Sequence, residues 1–305
     1  MDLSTKIANI KLKNPLILSS GILDLTAPIM KRVVSNGAAA VTTKAIGLEE
    51  RTGHKNPTLI ANEHYLMNAM GLCNPGYKAY RDEIKEFKKT GIPLIANMFA
   101  ETPERFVTLA KELENYGADA IELNLSCPNV TKGEALGQII GKNPNLVEDY
   151  TRKVKKAVKI PVIVKLTPNV ADVVEIAKAA EAGNADIISA INTLGPGMEI
   201  NIEAAKPILA NKFGGVSGPA IKPIAIASVY KIYETVKIPI IGIGGVTTGK
   251  DAIEMLMAGA SAVGIGSAVY YRGIDVFKKI LEEMQKWMEK EGYSKVRDII
   301  GTAHD

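Results

Sequence analysis

The chain has 305 residues, of which 47% are hydrophobic and 23% are charged. These fractions are ordinary for a globular enzyme, and they exclude a disordered or collagen-like chain. Lys and Arg (37) exceed Asp and Glu (33) by so little that the net charge is only +4. A charge this small and dispersed does not favour a nucleic-acid or membrane partner.

The cysteine count limits the chemistry of the chain. Its two cysteines, Cys73 and Cys127, are too few for a disulfide framework, a thiolate zinc site or an iron–sulfur cluster held by this chain alone. We expect the thiols to be reduced, which favours the cytoplasm. The first residues show no basic region followed by an apolar stretch, and no apolar run reaches the roughly 18–20 residues of a membrane span. We therefore expect neither a signal peptide nor a transmembrane helix.

Eight short apolar runs alternate with segments that have helical periodicity. The runs are continuously apolar, which is typical of buried parallel strands. The periodicity is clear at Phe106, Leu109, Ala110 and Leu113. The count and regular spacing predict an α/β fold, a single (β/α)8 TIM barrel domain over residues 1–305, rather than an open doubly wound sheet. The eight runs are residues 16–18, 39–43, 94–96, 120–123, 162–164, 187–191, 240–241 and 262–265.

Local signals place several element boundaries. Gly117 and Gly183 lie where the preceding helices should end, and Asn143-Pro144 is typical of an N-cap followed by proline at the first helical position. Three connections are longer than packing needs, at residues 45–75, 125–142 and 193–218. All three follow strands, so we expect long βα loops over the C-terminal face, where barrel active sites are built.

Polar residues or glycines stand at the ends of the predicted strands. In a closed barrel these positions converge on one ring, which predicts a ligand site there. The glycine pairs after strands seven and eight, with Thr247 or Ser267 near the next helix start, predict a phosphate site; a tight turn is the alternative. The strand-end residues are Ser19, Ser20, Lys44, Asn97, Asn124, Lys165, Asn192, Thr193, Gly244, Gly245, Gly266 and Ser267.

Cys127 lies in a long loop that begins at Asn124 and continues through Pro128 and Asn129. A buried structural cysteine is the alternative, but a loop on the catalytic face favours a thiol acid or base flanked by amides. The histidines lie elsewhere, two in the 45–75 connection and one in the tail, so proton transfer is favoured over Cys–His nucleophilic catalysis. We interpret residues 68–76 as an ordered loop that presents amides, with Cys73 as a bystander.

These residues together resemble class 1 dihydroorotate dehydrogenases. The resemblance implies a barrel that contains FMN and oxidises (S)-dihydroorotate to orotate in pyrimidine biosynthesis. It makes Cys127 the base that removes the proton from C5, while hydride passes from C6 to flavin N5. The matching motifs are PLILSSG at 15–21, TK at 43–44, NAMGLCNPG at 68–76, NLSCPN at 124–129, VKL at 164–166, INT at 191–193, GVSGPAIKP at 215–223, IGIGGV at 241–246 and GS at 266–267.

The resemblance also implies which residues bind the substrate and FMN, and it implies no metal site. It further implies that the loop at residues 130–140 is a lid over Cys127. Ser267 stands where the family more commonly has threonine. The residues implied to bind substrate are Lys44, Asn68, Ala69, Met70, Gly71, Leu72, Asn124, Asn192 and Thr193. Those implied to bind FMN are Ser20, Lys44, Ala45, Asn97, Asn124, Lys165, Ile191, Gly218, Gly244, Gly245, Gly266 and Ser267.

A cysteine base separates the chain from the membrane-associated class 2 enzymes, and the segment at 68–76 is more similar to subclass 1B. That subclass implies an iron–sulfur flavoprotein partner that carries FAD and a 2Fe–2S cluster and passes electrons to NAD. The implied assembly is a heterotetramer of two barrels and two partners around a homodimer core. Other functions stay open: a fumarate-linked subclass 1A enzyme, a dihydropyrimidine dehydrogenase-like subunit acting on uracil or thymine, a flavin-free aldolase or isomerase barrel, and a non-catalytic ligand-binding barrel.

Overall fold

Eight parallel strands form a closed barrel in this computed structural model, which describes residues 1–125 and 140–304. Each strand pairs with the next in chain order, and the eighth pairs with the first. The predicted (β/α)8 barrel is confirmed. Its strands are β1 (Leu16–Leu18), β2 (Ala40–Thr42), β3 (Leu94–Met98), β4 (Ala120–Asn124), β5 (Val162–Leu166), β6 (Ile187–Ala190), β7 (Ile240–Ile243) and β8 (Ala262–Ile265).

Helices surround the barrel and bury their apolar faces against it. On the helix that follows β3, the periodic residues Phe106, Leu109, Ala110 and Leu113 are all buried in the main core. Within the described residues, no helix is both long and apolar enough to cross a bilayer. The helices are α1 (Ala27–Ser35), α2 (Tyr77–Lys88), α3 (Pro103–Tyr116), α4 (Pro144–Ala157), α5 (Val173–Ala182), α6 (Lys222–Tyr233), α7 (Gly249–Met257), α8 (Ala268–Arg272) and α9 (Val276–Glu291).

Local chemistry sets two of the predicted helix boundaries. Gly117 ends α3 with a φ of 104°, in the left-handed region that favours glycine. The side chain of Asn143 accepts hydrogen bonds from the N–H groups of Asn145 and Leu146, and Pro144 is the first residue of α4. Both predictions are confirmed, because each depends only on residues adjacent in the chain.

Gly183 ends α5 for a different reason from the one expected. Its φ is −74°, and the left-handed residue is the next one, Asn184, at 65°. A Cβ atom on Gly183 would lie 2.7 Å from the Cβ of Thr151 and 2.8 Å from the carbonyl oxygen of Glu148. Glycine is therefore needed here for the close packing of α5 on α4.

A hairpin of Thr5–Ile7 and Ile10–Leu12 closes the amino end of the barrel. Its apolar side chains pack with inward-facing isoleucines of the strands in one cluster. Because successive side chains of a strand point to opposite faces, the next inward position lies two residues later, toward the carboxyl end. The inward-facing residues nearest the amino end of their strands include Ile95, Ala120, Ile163 and Ile187.

Two of the long βα connections fold together into a four-stranded antiparallel sheet. A separate, shorter strand pair, Ile200–Asn201 with Lys206–Pro207, lies between two of its strands in the chain. The interpretation of Asn68 as a loop residue is wrong, since Asn68 ends a strand of this sheet; residues 69–76 follow it. Pairing satisfies backbone groups that a long irregular loop would leave unpaired. The order of strands in the sheet is Leu194–Gly197, Gly214–Ser217, Leu66–Asn68 and Leu59–Ala61.

Candidate active site

A cavity of about 360 Å³ opens at the carboxyl ends of the barrel strands. The four-stranded sheet contributes Leu59, Leu66, Asn68 and Ser217 to its wall. Seventeen of the residues predicted to bind ligands meet in this one place, although they come from widely separated parts of the chain. Those residues are Ser20, Lys44, Ala45, Asn68, Met70, Gly71, Leu72, Asn124, Lys165, Ile191, Asn192, Thr193, Gly218, Gly244, Gly245, Gly266 and Ser267.

Two of the residues predicted to bind ligands do not line the cavity. Ala69 is fully buried in a small apolar cluster with Met67 and Leu209. Asn97 is fully buried inside the barrel. Cys127, the predicted base, lies outside the described residues, as does the predicted lid except for Ile140. The bystander Cys73 is a half-buried free thiol that does not line the cavity.

Three asparagines organise the wall of the cavity after β6. Asn192 donates from Nδ2 to Oδ1 of Asn124 over 3.4 Å, and its own Oδ1 accepts from the N–H of Thr193 at 2.8 Å. Asn169 holds the same segment through its side chain, which donates to the carbonyl of Thr193 and accepts from the N–H of Gly195. The sequence analysis did not identify Asn169, because no local sequence pattern indicates contact with Thr193 and Gly195, which lie 24 and 26 positions further along the chain. Amides provide both donors and acceptors, as a planar heterocycle requires.

The glycines after β7 pass close to α6. Gly244 and Gly245 have φ angles of 134° and 72°. A Cβ atom would lie 2.7 Å from the Cβ of Ala225 at the first position and 2.6 Å from the Cβ of Lys222 at the second. These positions therefore require glycine for both conformation and space. Backbone N–H groups in such turns suit a phosphate.

Thr247 and Ser267 were the two alternative hydroxyls predicted near a phosphate, and that of Thr247 is used within the protein. Its backbone N–H and its hydroxyl both donate to Oδ2 of Asp251, at 3.0 and 2.9 Å. Thr247 is also absent from the part of the cavity wall that the described residues form, whereas Ser267 lines it. Ser267 is the N-cap of α8, and its side chain makes no capping hydrogen bond in the described structure.

Charged residues behind the glycine turn support it. Arg272 donates to the carbonyl of Thr247 at 2.8 Å and pairs with Glu283 at 2.6 Å, while Glu283 accepts from the N–H of Gly249. Burial would raise the pKa of Asp251, but hydrogen bonds from Lys222 and Thr247 outweigh it and lower that pKa to about 2. Asp251 therefore stays ionised and holds the turn after β7 to the start of α7.

A buried polar layer lies above the apolar layer inside the barrel. It is formed by Asn97, Glu122, Lys165 and Ser189, each two residues after an inward-facing member of the apolar cluster. Glu122 accepts from Ser189 Oγ at 2.7 Å and from Asn97 Nδ2, and its Oε2 lies 3.7 Å from Nζ of Lys165. The sequence analysis did not identify Glu122 as a site residue. A charged residue inside an apolar run that predicts a buried strand was the signal that could have found it.

A second buried carboxyl, Asp24, lies near both lysines of the cavity. It accepts from the N–H of Gly21 at 2.5 Å, and its carbonyl accepts from the N–H of Lys44 at 3.2 Å. Burial raises the pKa of Asp24, while the Gly21 N–H and the charges of Lys44 and Lys165 oppose the rise. Asp24 thus positions the turn at Gly21 and the backbone of Lys44.

The donors and acceptors of the cavity fit a flat heterocycle that carries a phosphate. The hydroxyl oxygen of Ser19, which lines the cavity, and Oδ1 of Asn97 are buried and have no hydrogen-bond partner in the described structure. Two lysines supply positive charge, and the glycine turns supply N–H groups. Residues 1–125 and 140–304 contain no cluster of three His, Cys, Asp or Glu side chains that could hold a metal. This set of residues fits FMN.

Comparison with known proteins gives a consistent result over nearly the whole chain. The family profile named "Dihydroorotate dehydrogenase" matches residues 2–288. A protein of Methanocaldococcus jannaschii is 49% identical over 99% of this chain and 98% of its own length. A protein of Pyrococcus abyssi is 48% identical and one of Thermoplasma acidophilum is 47% identical to this chain. Each of these alignments spans 99% of this chain and 99% of the relative. All three relatives are named "Dihydroorotate dehydrogenase B (NAD(+)), catalytic subunit".

Proposed function

Because the chain belongs to the dihydroorotate dehydrogenase family, we propose that it oxidises (S)-dihydroorotate to orotate in pyrimidine biosynthesis, with FMN in the cavity at the carboxyl end of the barrel. One observation carries the proposal. Lys44, Lys165 and three asparagines (Asn68, Asn124 and Asn192) converge on a single cavity with the glycine turns after β7 and β8. This convergence supports a phosphate site next to a site for a planar acid.

FMN would be held at its phosphate and at its flavin ring. The N–H groups around Gly244, Gly245 and Gly266, with the hydroxyl of Ser267, would bind its phosphate. Ser20, Ala45, Asn97, Ile191 and Gly218 complete the proposed set, with Asn124 and the two lysines shared between the ligands. Lys165 places a positive charge where negative charge on a reduced flavin ring would be stabilised. When bound, FMN supplies the acceptor for the hydride that leaves C6 of the substrate.

The substrate would be held by residues with matching chemistry. Lys44 offers a cation for the carboxylate of dihydroorotate, and Asn68, Asn124 and Asn192 offer donors and acceptors for the edges of its ring. The N–H groups of residues 69–72 and the side chain of Thr193 would complete this pocket. The hydrogen bonds among Asn124, Asn192 and Thr193 preorganise it before the substrate arrives.

Cys127 would remove the proton from C5. In the sequence it follows Asn124, which lines the cavity, by three positions. A positioned general base contributes roughly 10²–10⁴-fold to the rate. We propose that Cys127→Ala keeps FMN and orotate binding but loses turnover by that factor, and that Cys73→Ala, as the matched control, keeps turnover within about twofold.

The relatives' name supports a larger assembly. They are called catalytic subunits of an NAD(+) enzyme, which supports a separate partner for electron transfer. We propose an iron–sulfur flavoprotein partner with FAD and a 2Fe–2S cluster, in a cytoplasmic heterotetramer built on a homodimer of barrels. Residues 1–305 would serve as its single FMN-binding domain.

An anaerobic visible spectrum of the purified chain tests the proposal. We expect flavin bands that bleach when dihydroorotate is added and that persist when dihydrouracil is added instead. Bleaching by dihydrouracil alone would assign the chain to pyrimidine reduction. A protein that stays colourless after FMN is supplied would overturn the proposed cofactor. A Cys127→Ala variant that reduces its flavin at the parent rate would overturn the proposed base.

A further inference from the structure

Glu122 is a charged side chain buried at the centre of the barrel. It is 2% exposed and belongs to β4, a strand that is otherwise apolar up to Asn124. An ionised carboxylate in such a place is costly unless it is paired and hydrogen-bonded. The family resemblance and the residues that line the cavity leave Glu122 without a function.

Glu122 is an ion-pair partner of Lys165. Its Oε2 lies 3.7 Å from Nζ of Lys165, which is itself 6% exposed and lines the cavity. Its Oε1 accepts from Ser189 Oγ, and Asn97 Nδ2 donates to its Oε2. The carboxylate therefore has a hydrogen bond on each oxygen and one cation at its side. Such a network restricts the Glu122 side chain, because a buried carboxylate oxygen that lost its donor would be left unsatisfied.

The strands hold this network rigidly. Glu122 is directly opposite Asn97 in the pairing of β3 with β4, and Lys165 is directly opposite Ser189 in the pairing of β5 with β6. The four side chains therefore come from four consecutive strands of the closed barrel. The pairing of β4 with β5 therefore holds Lys165 next to Glu122.

We propose that Glu122 is a positioning residue for the flavin: it holds the Lys165 ammonium at the cavity and moderates its positive charge. The inference rests on the proposed function, because the field of Lys165 matters only if a redox cofactor occupies the cavity. Removing the carboxylate leaves the positive charge of Lys165 less compensated. A less compensated cation stabilises a negatively charged reduced flavin, so the midpoint potential should rise.

Glu122→Gln tests the charge with little change of shape. The glutamine carbonyl can still accept from Ser189, and Asn97 can turn its amide so that Oδ1, which has no partner in the described structure, accepts from the new NH2 group. We expect the reduction equilibrium of the bound flavin to shift at least tenfold toward the reduced form. For a two-electron couple that is about 30 mV upward.

Ser189→Ala is the matched control. It removes one hydrogen bond from Glu122 inside the same buried layer and leaves the carboxylate and Lys165 in place. We expect it to shift the reduction equilibrium less than threefold. An equal shift in both variants would mean that any disturbance of the layer acts on the flavin, and it would overturn the proposal. If Glu122→Gln does not fold, Glu122→Asp, which withdraws the carboxylate from Lys165 by one methylene, should raise the potential by a smaller amount.

A double-mutant cycle with Lys165→Met separates an effect through Lys165 from a direct effect of Glu122. Without the lysine, Glu122→Gln can no longer act by changing how a cation beside the flavin is compensated. We therefore expect Glu122→Gln to leave the potential unchanged in the Lys165→Met background. A shift of the same size in both backgrounds would overturn the role of Glu122 through Lys165.

The potentials are measured anaerobically against a reference dye, on folded proteins loaded with FMN. An unchanged or lowered potential in Glu122→Gln, in a parent protein that binds FMN and is reduced by dihydroorotate, overturns this inference alone. A parent protein that binds no flavin overturns the proposed function instead.

Discussion

Oδ2 of Asp251 accepts hydrogen bonds from both the N–H and the hydroxyl of Thr247, so neither group is directed to the cavity. The same oxygen accepts from the N–H of Thr248, which makes Asp251 the centre of the turn between β7 and α7. The phosphate site was predicted from the glycines with Thr247 or Ser267, and these hydrogen bonds favour Ser267 as the hydroxyl of the proposed site.

This arrangement predicts different effects for the two hydroxyl residues. Ser267→Ala should weaken FMN binding roughly 10- to 150-fold, because a hydrogen bond to a charged group contributes about 1.5–3 kcal/mol. Thr247→Val should leave the dissociation constant within about threefold, since its hydroxyl is used by Asp251. Quenching of flavin fluorescence on titration with apoprotein measures both constants. Equal losses in the two variants would contradict the assignment of the phosphate to Ser267.

Gly245 provides a test of the glycine turn itself. A Cβ atom there would lie 2.6 Å from the Cβ of Lys222 and 2.8 Å from its backbone N, so the turn must move. We expect Gly245→Ala to weaken FMN binding at least tenfold. Gly292→Ala is the control, because Gly292 has a similar φ of 79° but nothing within 4 Å of a new Cβ.

Both glycine variants should lose about 1–2 kcal/mol of stability from the left-handed backbone conformation. Only Gly245→Ala should lose FMN affinity as well. Denaturant unfolding and flavin titration of the two proteins separate these effects. Retention of parent affinity by Gly245→Ala would argue against phosphate binding at this turn.

The lowered pKa of Asp251 predicts a pH-dependent contribution to stability. Its folded pKa of about 2 lies below its ordinary value of 3.8, so the ionised form is favoured by folding. The contribution is fully present above pH ~4, amounts to ~2 kcal/mol, and is lost as the pH falls toward ~2. Asp251→Asn should therefore be less stable than the parent at pH 7, with a difference that shrinks in acid.

Glu254→Gln is the control for this experiment. Glu254 contacts the same Lys222 at 2.7 Å, but its side chain is 49% exposed, so its loss should cost less than about 1 kcal/mol. Unfolding free energies of the three proteins between pH 7 and pH 2.5 provide the test. A difference between the parent and Asp251→Asn that stays constant over this range would contradict the linkage.

Features that depend on neighbouring residues were predictable from the sequence. The continuously apolar strands, the left-handed Gly117 and the cap at Asn143 follow from burial, φ preference and short-range hydrogen bonding. The convergence of Lys44, Asn124 and the other strand-end residues also followed, since the closure of eight parallel strands brings their carboxyl ends together.

Contacts between distant segments were decided by the tertiary structure alone. Residues 66–68 pair with residues 215–217, so two connections that were expected to be loops form a sheet. The hydroxyl of Thr247 donates to Asp251 and is therefore not available to the predicted phosphate site. The meeting of Glu122 with Lys165 required the register of β4 and β5 inside a closed barrel. A sequence pattern reports the burial and conformation of one segment at a time, whereas the partner of a buried charge depends on which other segment packs against it.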